Sequence, residues 1–437
     1  MIMRVAKSQI SGEITVPGSK SHTIRALFIA SLADGLSVIR SPLMSDDTAS
    51  AIRVCRAFGS DINTNNPQLI TVKGFGGNPN VPEDVIDVGN SGTTLRLAAS
   101  MAALAEGTTV FTGDAQIRNR PMDPLLKSLN DLGAKAYSTR NNGKAPIIIQ
   151  GKLKGGTTSI DSVTSQYLSS LLITAPLLEE DTEIIVERLN EVPYVEMTLS
   201  WLDRQQVEYE RDGTRWFKIK GGQSYKSFDT VIPGDFSSAT FFAVLAAITR
   251  SRIRINNLDI NDTQGDKQIF YILKDMGAEV TFEKDSITVQ GGDLKGLNID
   301  MNAIPDALPA FAVLGCFAEG ETKLLNVPQA RIKETDRISV MCKELRKMGA
   351  DVEELADGLI IRRSALTGSS VNGYGDHRIV MSLAVAGLAA QGITEIDTAE
   401  SVNVTFPEFP DLIRQCGGNI TVCQMGAANE QNFNIDC

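Results

Sequence analysis

GSKSHTIRALFIASLADG, Gly18 to Gly35, is a polar turn that runs straight into an apolar segment, and its outline is written five more times along the chain. It returns as GNSGTTLRLAASMAAL from Gly89, DSVTSQYLSSLLITAPLL from Asp161, GDFSSATFFAVLAAIT from Gly234, PDALPAFAVLGCFA from Pro305 and GDHRIVMSLAVAGLA from Gly375. The starts fall 70 to 73 residues apart. Self-similarity at a fixed period implies one supersecondary unit used six times. Stretches such as FFAVLAAIT are apolar all round, so these helices are expected in the interior.

Each unit carries a second, amphipathic helix. In ETDRISVMCKELRKMG (334–349), Ile338, Met341, Leu345 and Met348 recur at helical spacing between charges, which predicts an outer helix with one buried stripe. Most of these helices close on a glycine (Gly59, Gly133, Gly277, Gly349, Gly417), the residue that enters the left-handed conformation most cheaply. The third unit reads DRQQVEYE (203–210) and lacks it. EITVPG, TVFTGD, PIIIQG, SITVQGG and LIIRR supply short strands rich in β-branched residues. An α/β fold follows. A chain of 437 residues exceeds what one core usually serves, so six units divide into two similar domains. The crossing is placed near Val231 to Gly234, which gives residues 19–232 for repeats one to three and residues 1–18 with 233–437 for repeats four to six. A cleft between two such halves is the default place for a ligand.

Composition narrows the function. The net charge of −11 argues against nucleic acid or an anionic membrane as partner, since both reward broad basic surfaces. No run reaches the roughly 18 to 20 apolar residues of a spanning helix, and MIMRVAKSQ has no signal-peptide core, so a cytoplasmic address is expected. Cysteines at 55, 316, 342, 416, 423 and 437 form no CxxC pair and read as reduced, mostly buried thiols. With His22 and His377 as the two histidines, no metal and no other cofactor is expected.

The polar turns carry the chemistry. A helix start exposes free N–H groups and the positive end of the helix dipole, so it attracts anions and disfavours cations. This chain nevertheless places Lys20, Arg25, Arg96, Lys333, Arg337 and Arg378 in or beside such starts. Lys333 and Arg337 are taken as i and i+4 on one helical face, where they repel and call for something negative between them. Glu334 and Asp336 neutralising both is the plainer alternative. GSKS lacks the Walker spacing, because Gly12 to Gly18 leaves five residues between and Ser19 intervenes. No GxSxG or HExxH occurs. Asp306 in IPDALP and Asp235 in PGDF read either as helix N-caps or as functional acids, and His377 as a functional or a merely satisfied histidine.

Taken together, PGSKSHTIRAL, GNSGTTLR, RNRPMDPL, SVTSQYL, PGDFSSA, IPDALP, KETDR and GDHR resemble the 3-phosphoshikimate 1-carboxyvinyltransferase (EPSP synthase) family over Pro17 to Pro407. The resemblance implies an enolpyruvyl transferase fold, an inside-out α/β barrel arrangement of two domains with three βαβαββ repeats each, and an active site in the interdomain cleft. It also implies transfer of the enolpyruvyl group of phosphoenolpyruvate to the 5-hydroxyl of shikimate 3-phosphate on the route to chorismate, without cofactor, by a monomer that glyphosate inhibits. The two substrates bring up to about six negative charges, which accounts for cations at the helix starts of an acidic protein. By the same resemblance Lys20, Ser21, Arg25, Thr164, Ser165, Gln166, Tyr194 and Gln329 hold shikimate 3-phosphate, with Asp306 and Lys333 at its reacting hydroxyl. Lys20, Gly92, Arg120, Gln166, Arg337 and Arg378 hold phosphoenolpyruvate. Asp306 is the base, Lys333 its electrostatic partner or a proton carrier, and Glu334 the acid at the methylene carbon. Asn90, Thr93, Arg96, Asp336 and His377 support the site.

The chain departs from that pattern at three points. Val404 stands where many members carry a lysine before the TFP segment, and Gln329 replaces an asparagine. Glu191 stands where a small hydroxyl residue often meets the shikimate phosphate; an acid there repels that group, so Glu191 is left out of the set. The related UDP-N-acetylglucosamine 1-carboxyvinyltransferase shares fold and donor, but its usual loop cysteine is missing from residues 110 to 130. A non-catalytic phosphometabolite-binding repeat protein leaves the acid and base candidates without a purpose.

Overall fold

Strand, buried helix, strand, outer helix, strand, strand is the order of elements along the first five repeats in the computed structural model, which describes residues 1–424; the sixth ends one strand short. The second repeat shows it within one stretch of chain. Ile86–Asp87 leads into helix Gly92–Ala102, strand Thr108–Thr112, helix Asp123–Asp131 and strands Lys135–Ser138 and Ile147–Gln150. The first strand pairs parallel with Thr108–Thr112, Thr108–Thr112 pairs antiparallel with Ile147–Gln150, and Ile147–Gln150 pairs antiparallel with Lys135–Ser138. All six sheets are four-stranded and repeat this order. They remain separate, so no closed barrel ladder forms among the described residues.

Two repeats borrow their first strand from elsewhere in the chain. Gly12–Thr15 pairs parallel with Arg252–Asn256 of the fourth repeat, and Asp229–Val231 pairs parallel with Leu36–Arg40 of the first. Ile2–Ala6 completes the sixth sheet between Ile393–Asp397 and Asn419–Cys423. The chain accordingly forms two units. One is Met1–Pro17, Gly234–Asp262 and the chain from Asp266; the other is Gly18–Pro233 with Thr263–Gly265.

Each unit has its own core. Helix Phe236–Ile248 is buried along its whole length, and it packs with Leu308–Gly315 and His377–Ala389, each helix touching the other two. In the other unit Gly92–Ala102 packs against both Lys20–Leu32 and Ser165–Thr174. Fully burying one Leu or Phe side chain contributes about 1.5 to 3 kcal/mol, and a helix apolar all round has no other stable place in water. The outer helices bury one stripe, as with Ile338, Met341 and Leu345 of Arg337–Lys347.

The missing glycine of the third repeat has a structural counterpart. After helix Val192–Arg204 the left-handed position is taken by Gln206, at φ 59°, where the other repeats have Gly59, Gly133, Gly277, Gly349 and Gly417. The turn is kept at a cost of about 1 kcal/mol for a residue with a Cβ.

Cys55, Cys316, Cys342 and Cys416 are buried and Cys423 is partly so. Burial pushes the Cys55 and Cys316 thiols up to about 12 and Cys416 up to about 11. Cys437 lies outside the described residues. Among the described residues no helix is long and apolar enough to cross a membrane.

Candidate active site

In the unit of repeats four to six, three charged stretches far apart in sequence meet around Asp306. Its carboxylate accepts from Arg337 Nη1 at 2.8 Å and lies 3.3 Å from Arg378 Nη2 and 3.8 Å from Lys333 Nζ. The N-cap of the following helix, Leu308–Gly315, is Ala307, so Asp306 is not that cap. Asp235 does act as one: its carboxylate accepts from Ser237 N at 3.2 Å and Ser238 Oγ at 2.9 Å.

Arg337 is the hub of this cluster. Its side chain is 1% exposed and donates through Nε to Asp376 (2.8 Å), through Nη1 to Asp306 and through Nη2 to Glu334 (2.5 Å), with a second Nη2 bond to Asp376 at 3.2 Å. Burial by itself lowers the guanidinium's pKa, but Asp376, Glu334 and Asp306 outweigh it and hold the group above its ordinary value. Three acids face three cations here, and a carboxylate that loses its cation in such surroundings is costly. Asp376 also caps helix His377–Ala389, accepting from Arg378 N at 2.9 Å, and takes a 3.2 Å bond from Thr335 Oγ1. His377, the first residue of that helix, is buried. Gln329, also buried, donates to Asn302 O at 3.1 Å.

One sequence expectation fails. Lys333 and Arg337 do not share a helical face: the outer helix begins at Arg337, and Lys333 lies before it, at the end of the short 3₁₀ turn Pro328–Ile332. The reason is Asp336, whose side chain accepts from Ser339 N at 3.0 Å and so fixes the helix start one residue after itself. The negative group between the two cations is Asp306, contributed by another repeat. Glu334 does pair with Arg337, but Asp336 pairs with Arg331, at 2.6 Å.

In the unit of repeats one to three, Lys20 opens helix Lys20–Leu32, and its Nζ lies 3.1 Å from Asp47 Oδ2. Arg25, 3% exposed, donates to Thr198 Oγ1 (2.8 Å), Ser21 O (3.1 Å), Tyr194 O (2.9 Å) and Ser169 Oγ (3.4 Å). These acceptors are all neutral. Burial pushes the guanidinium down to about 10, which leaves it charged at neutral pH, with no carboxylate paired to it among the described residues. A buried charge of that kind is stabilised by an arriving anion.

Gly92 opens helix Gly92–Ala102, and a Cβ there would stand 2.4 Å from Nη1 of both Arg96 and Arg120. Glycine is what lets two buried guanidinium groups close on one point of the backbone. Gln166 Nε2 reaches Thr93 Oγ1 at 3.2 Å, and Asn90 Nδ2 donates to Asp114 (2.6 Å) and Gln116 (2.5 Å). At the start of helix Ser165–Thr174, Glu191 Oε2 accepts from Ser165 Oγ (2.8 Å), Ser165 N (3.2 Å) and Thr164 Oγ1 (3.2 Å). Glu191 is 2% exposed, with a left-handed backbone at φ 61° and ψ 43°.

Sequence reasoning missed Asp376 and Asp47, the acids that hold Arg337 and Lys20, and the hydroxyls of Ser169 and Thr198 that hold Arg25. Asp376 carried a signal, since it precedes a buried helix just as Asp235 does. That signal speaks of capping and is silent on an ion pair with a residue 39 positions away.

The sequence model of the EPSP synthase (3-phosphoshikimate 1-carboxyvinyltransferase) family matches residues 5–413. The 3-phosphoshikimate 1-carboxyvinyltransferase of Acetivibrio thermocellus is 63% identical over 424 residues, covering 97% of this chain and all of its own. That of Ruminiclostridium cellulolyticum is 59% identical, over 96% of this chain and 99% of its own. A solved structure of EPSP synthase from Acinetobacter baumannii superposes with a TM-score of 0.83 at 29% identity, covering 97% of this chain and 100% of that one.

Proposed function

The chain belongs to the EPSP synthase family, and from that premise we propose how its own residues carry the reaction. The protein transfers the enolpyruvyl group of phosphoenolpyruvate to the 5-hydroxyl of shikimate 3-phosphate, releasing inorganic phosphate. Lys20, Ser21, Arg25, Thr164, Ser165, Gln166 and Tyr194 hold shikimate 3-phosphate, together with Gln329. Lys20, Gly92, Arg120, Gln166, Arg337 and Arg378 hold phosphoenolpyruvate, with Arg96, Thr93 and Asn90 behind them. Asp306 takes the proton of the 5-hydroxyl as that oxygen bonds to C2 of phosphoenolpyruvate, and Glu334 delivers a proton to the methylene carbon. Elimination then returns the methyl proton to Glu334 while the C2–O bond to phosphate breaks.

The observation that supports this assignment most is the convergence of Lys333, Arg337 and Arg378 on the Asp306 carboxylate. Three cations around a carboxylate stabilise its charged form and make it a poor base. A substrate phosphate or carboxylate that draws Lys333 and Arg378 toward itself leaves Asp306 more basic at the moment it is needed.

We infer that the protein works as a monomer in the cytoplasm, on small anionic substrates and without a metal or other cofactor. Phosphate release from phosphoenolpyruvate, measured by a coupled assay, is expected upon addition of shikimate 3-phosphate and not of UDP-N-acetylglucosamine. Release with the second acceptor, or with neither, overturns the reading.

A further inference from the structure

The Glu191 carboxylate rests where an anion is wanted. One of its oxygens collects the Ser165 N–H, the Ser165 hydroxyl and the Thr164 hydroxyl, at 3.2, 2.8 and 3.2 Å, at the start of a ten-residue helix whose dipole favours negative charge. It is held there by a left-handed backbone, which a residue with a Cβ adopts only when its surroundings require it. Arg25, buried and donating to neutral acceptors, binds Tyr194 O in the first turn of the helix that Glu191 precedes.

Resting on the reading that Thr164 and Ser165 receive the phosphate of shikimate 3-phosphate, we propose that Glu191 is a built-in competitor for that phosphate. Its carboxylate fills the phosphate seat in the ligand-free protein and withdraws when the substrate enters. A phosphate monoester carries a charge of about −1.5 to −2 at neutral pH and needs the same donors, so it cannot share them with a buried carboxylate. The consequence is selectivity. A small anion such as inorganic phosphate, with nothing else to hold it, does not displace a tethered group that already makes three hydrogen bonds. A phosphate ester anchored at its carboxylate and hydroxyls as well does displace it. Affinity for shikimate 3-phosphate is lowered in return for a seat closed to the phosphate that the reaction releases.

Two variants test this. Glu191→Gln keeps the size and one acceptor oxygen without the charge, and Glu191→Ser removes the reach altogether. The KM for shikimate 3-phosphate is expected to fall about tenfold in Glu191→Ser, the factor that corresponds to 1.4 kcal/mol, and to fall in Glu191→Gln as well. The inhibition constant of inorganic phosphate falls with it, while the KM for phosphoenolpyruvate does not follow. A KM for shikimate 3-phosphate that is unchanged or raised in both variants overturns the proposal. Calorimetric binding of inorganic phosphate separates this outcome from failure of the catalytic reading. Should the wild type release no phosphate with shikimate 3-phosphate, that reading falls, and tighter phosphate binding by Glu191→Ser than by wild type still supports the competitor, whereas equal binding overturns it.

Discussion

Replacing Asp376 with alanine should destabilise the unit that contains it by about 4 to 6 kcal/mol. The side chain is fully buried and accepts two bonds from Arg337, one from Thr335 and one from the Arg378 backbone N–H. Breaking a buried pair by deleting one partner costs about 3 to 5 kcal/mol, because the other charge stays behind in the interior. Losing the N-cap of helix His377–Ala389 adds about 1 kcal/mol. The loss is therefore about 4 to 6 kcal/mol, against total stabilities of about 5 to 15 kcal/mol. Asp376→Asn separates the two parts, since an amide oxygen can still cap the helix and Arg337 keeps Asp306 and Glu334; a loss of about 1 to 3 kcal/mol is expected. Urea unfolding followed by circular dichroism is the assay. Because the two units have separate cores, the part of the transition that belongs to the unit with Asp376 should shift in the variants while the other part stays in place. A shift below about 1 kcal/mol in Asp376→Ala, or an equal loss in both variants, would refute the ion-pair reasoning.

Other consequences are quicker to check. Lys333→Met should lower turnover about 10²-fold or more while circular dichroism still shows a folded protein; near-normal turnover removes Lys333 from the mechanism. Gly92→Ala puts a methyl 2.4 Å from Nη1 of Arg96 and of Arg120, so both guanidinium groups must move, and the KM for phosphoenolpyruvate should rise about tenfold. An unchanged KM would place phosphoenolpyruvate elsewhere. Cys55 and Cys316 should resist a thiol reagent at pH 8 in the native protein and react after unfolding. Their folded-state values, raised from 9 to about 12, mean that the stability they contribute is complete below pH 9 and fades as pH climbs toward 12; fast native labelling of either residue contradicts this.

The repeat was legible because it is written in local pattern. An all-apolar helix after a polar turn, and a glycine after an amphipathic helix, each express a constraint that a residue meets with its immediate neighbours, and even the exception at Gln206 kept the backbone conformation while changing the residue. The exchange of Gly12–Thr15 and Asp229–Val231 between the sheets of the first and fourth repeats is different in kind. Parallel pairing joins segments far apart in sequence, and nothing in EIT or DTV says which sheet either will join. Charge partnership is hidden for the same reason. Four residues separate Lys333 from Arg337, which suggests neighbours on one helix, whereas the cap at Asp336 ends that helix before it reaches Lys333, and it is Asp306 from another turn that unites them. Glu191 shows the converse: a misfit by sequence because it repels phosphate, it sits among the donors that a phosphate would use. A residue with the wrong charge for a ligand is the right one for the seat before that ligand arrives, a distinction that depends on which state of the protein is being considered and that no single-state pattern encodes.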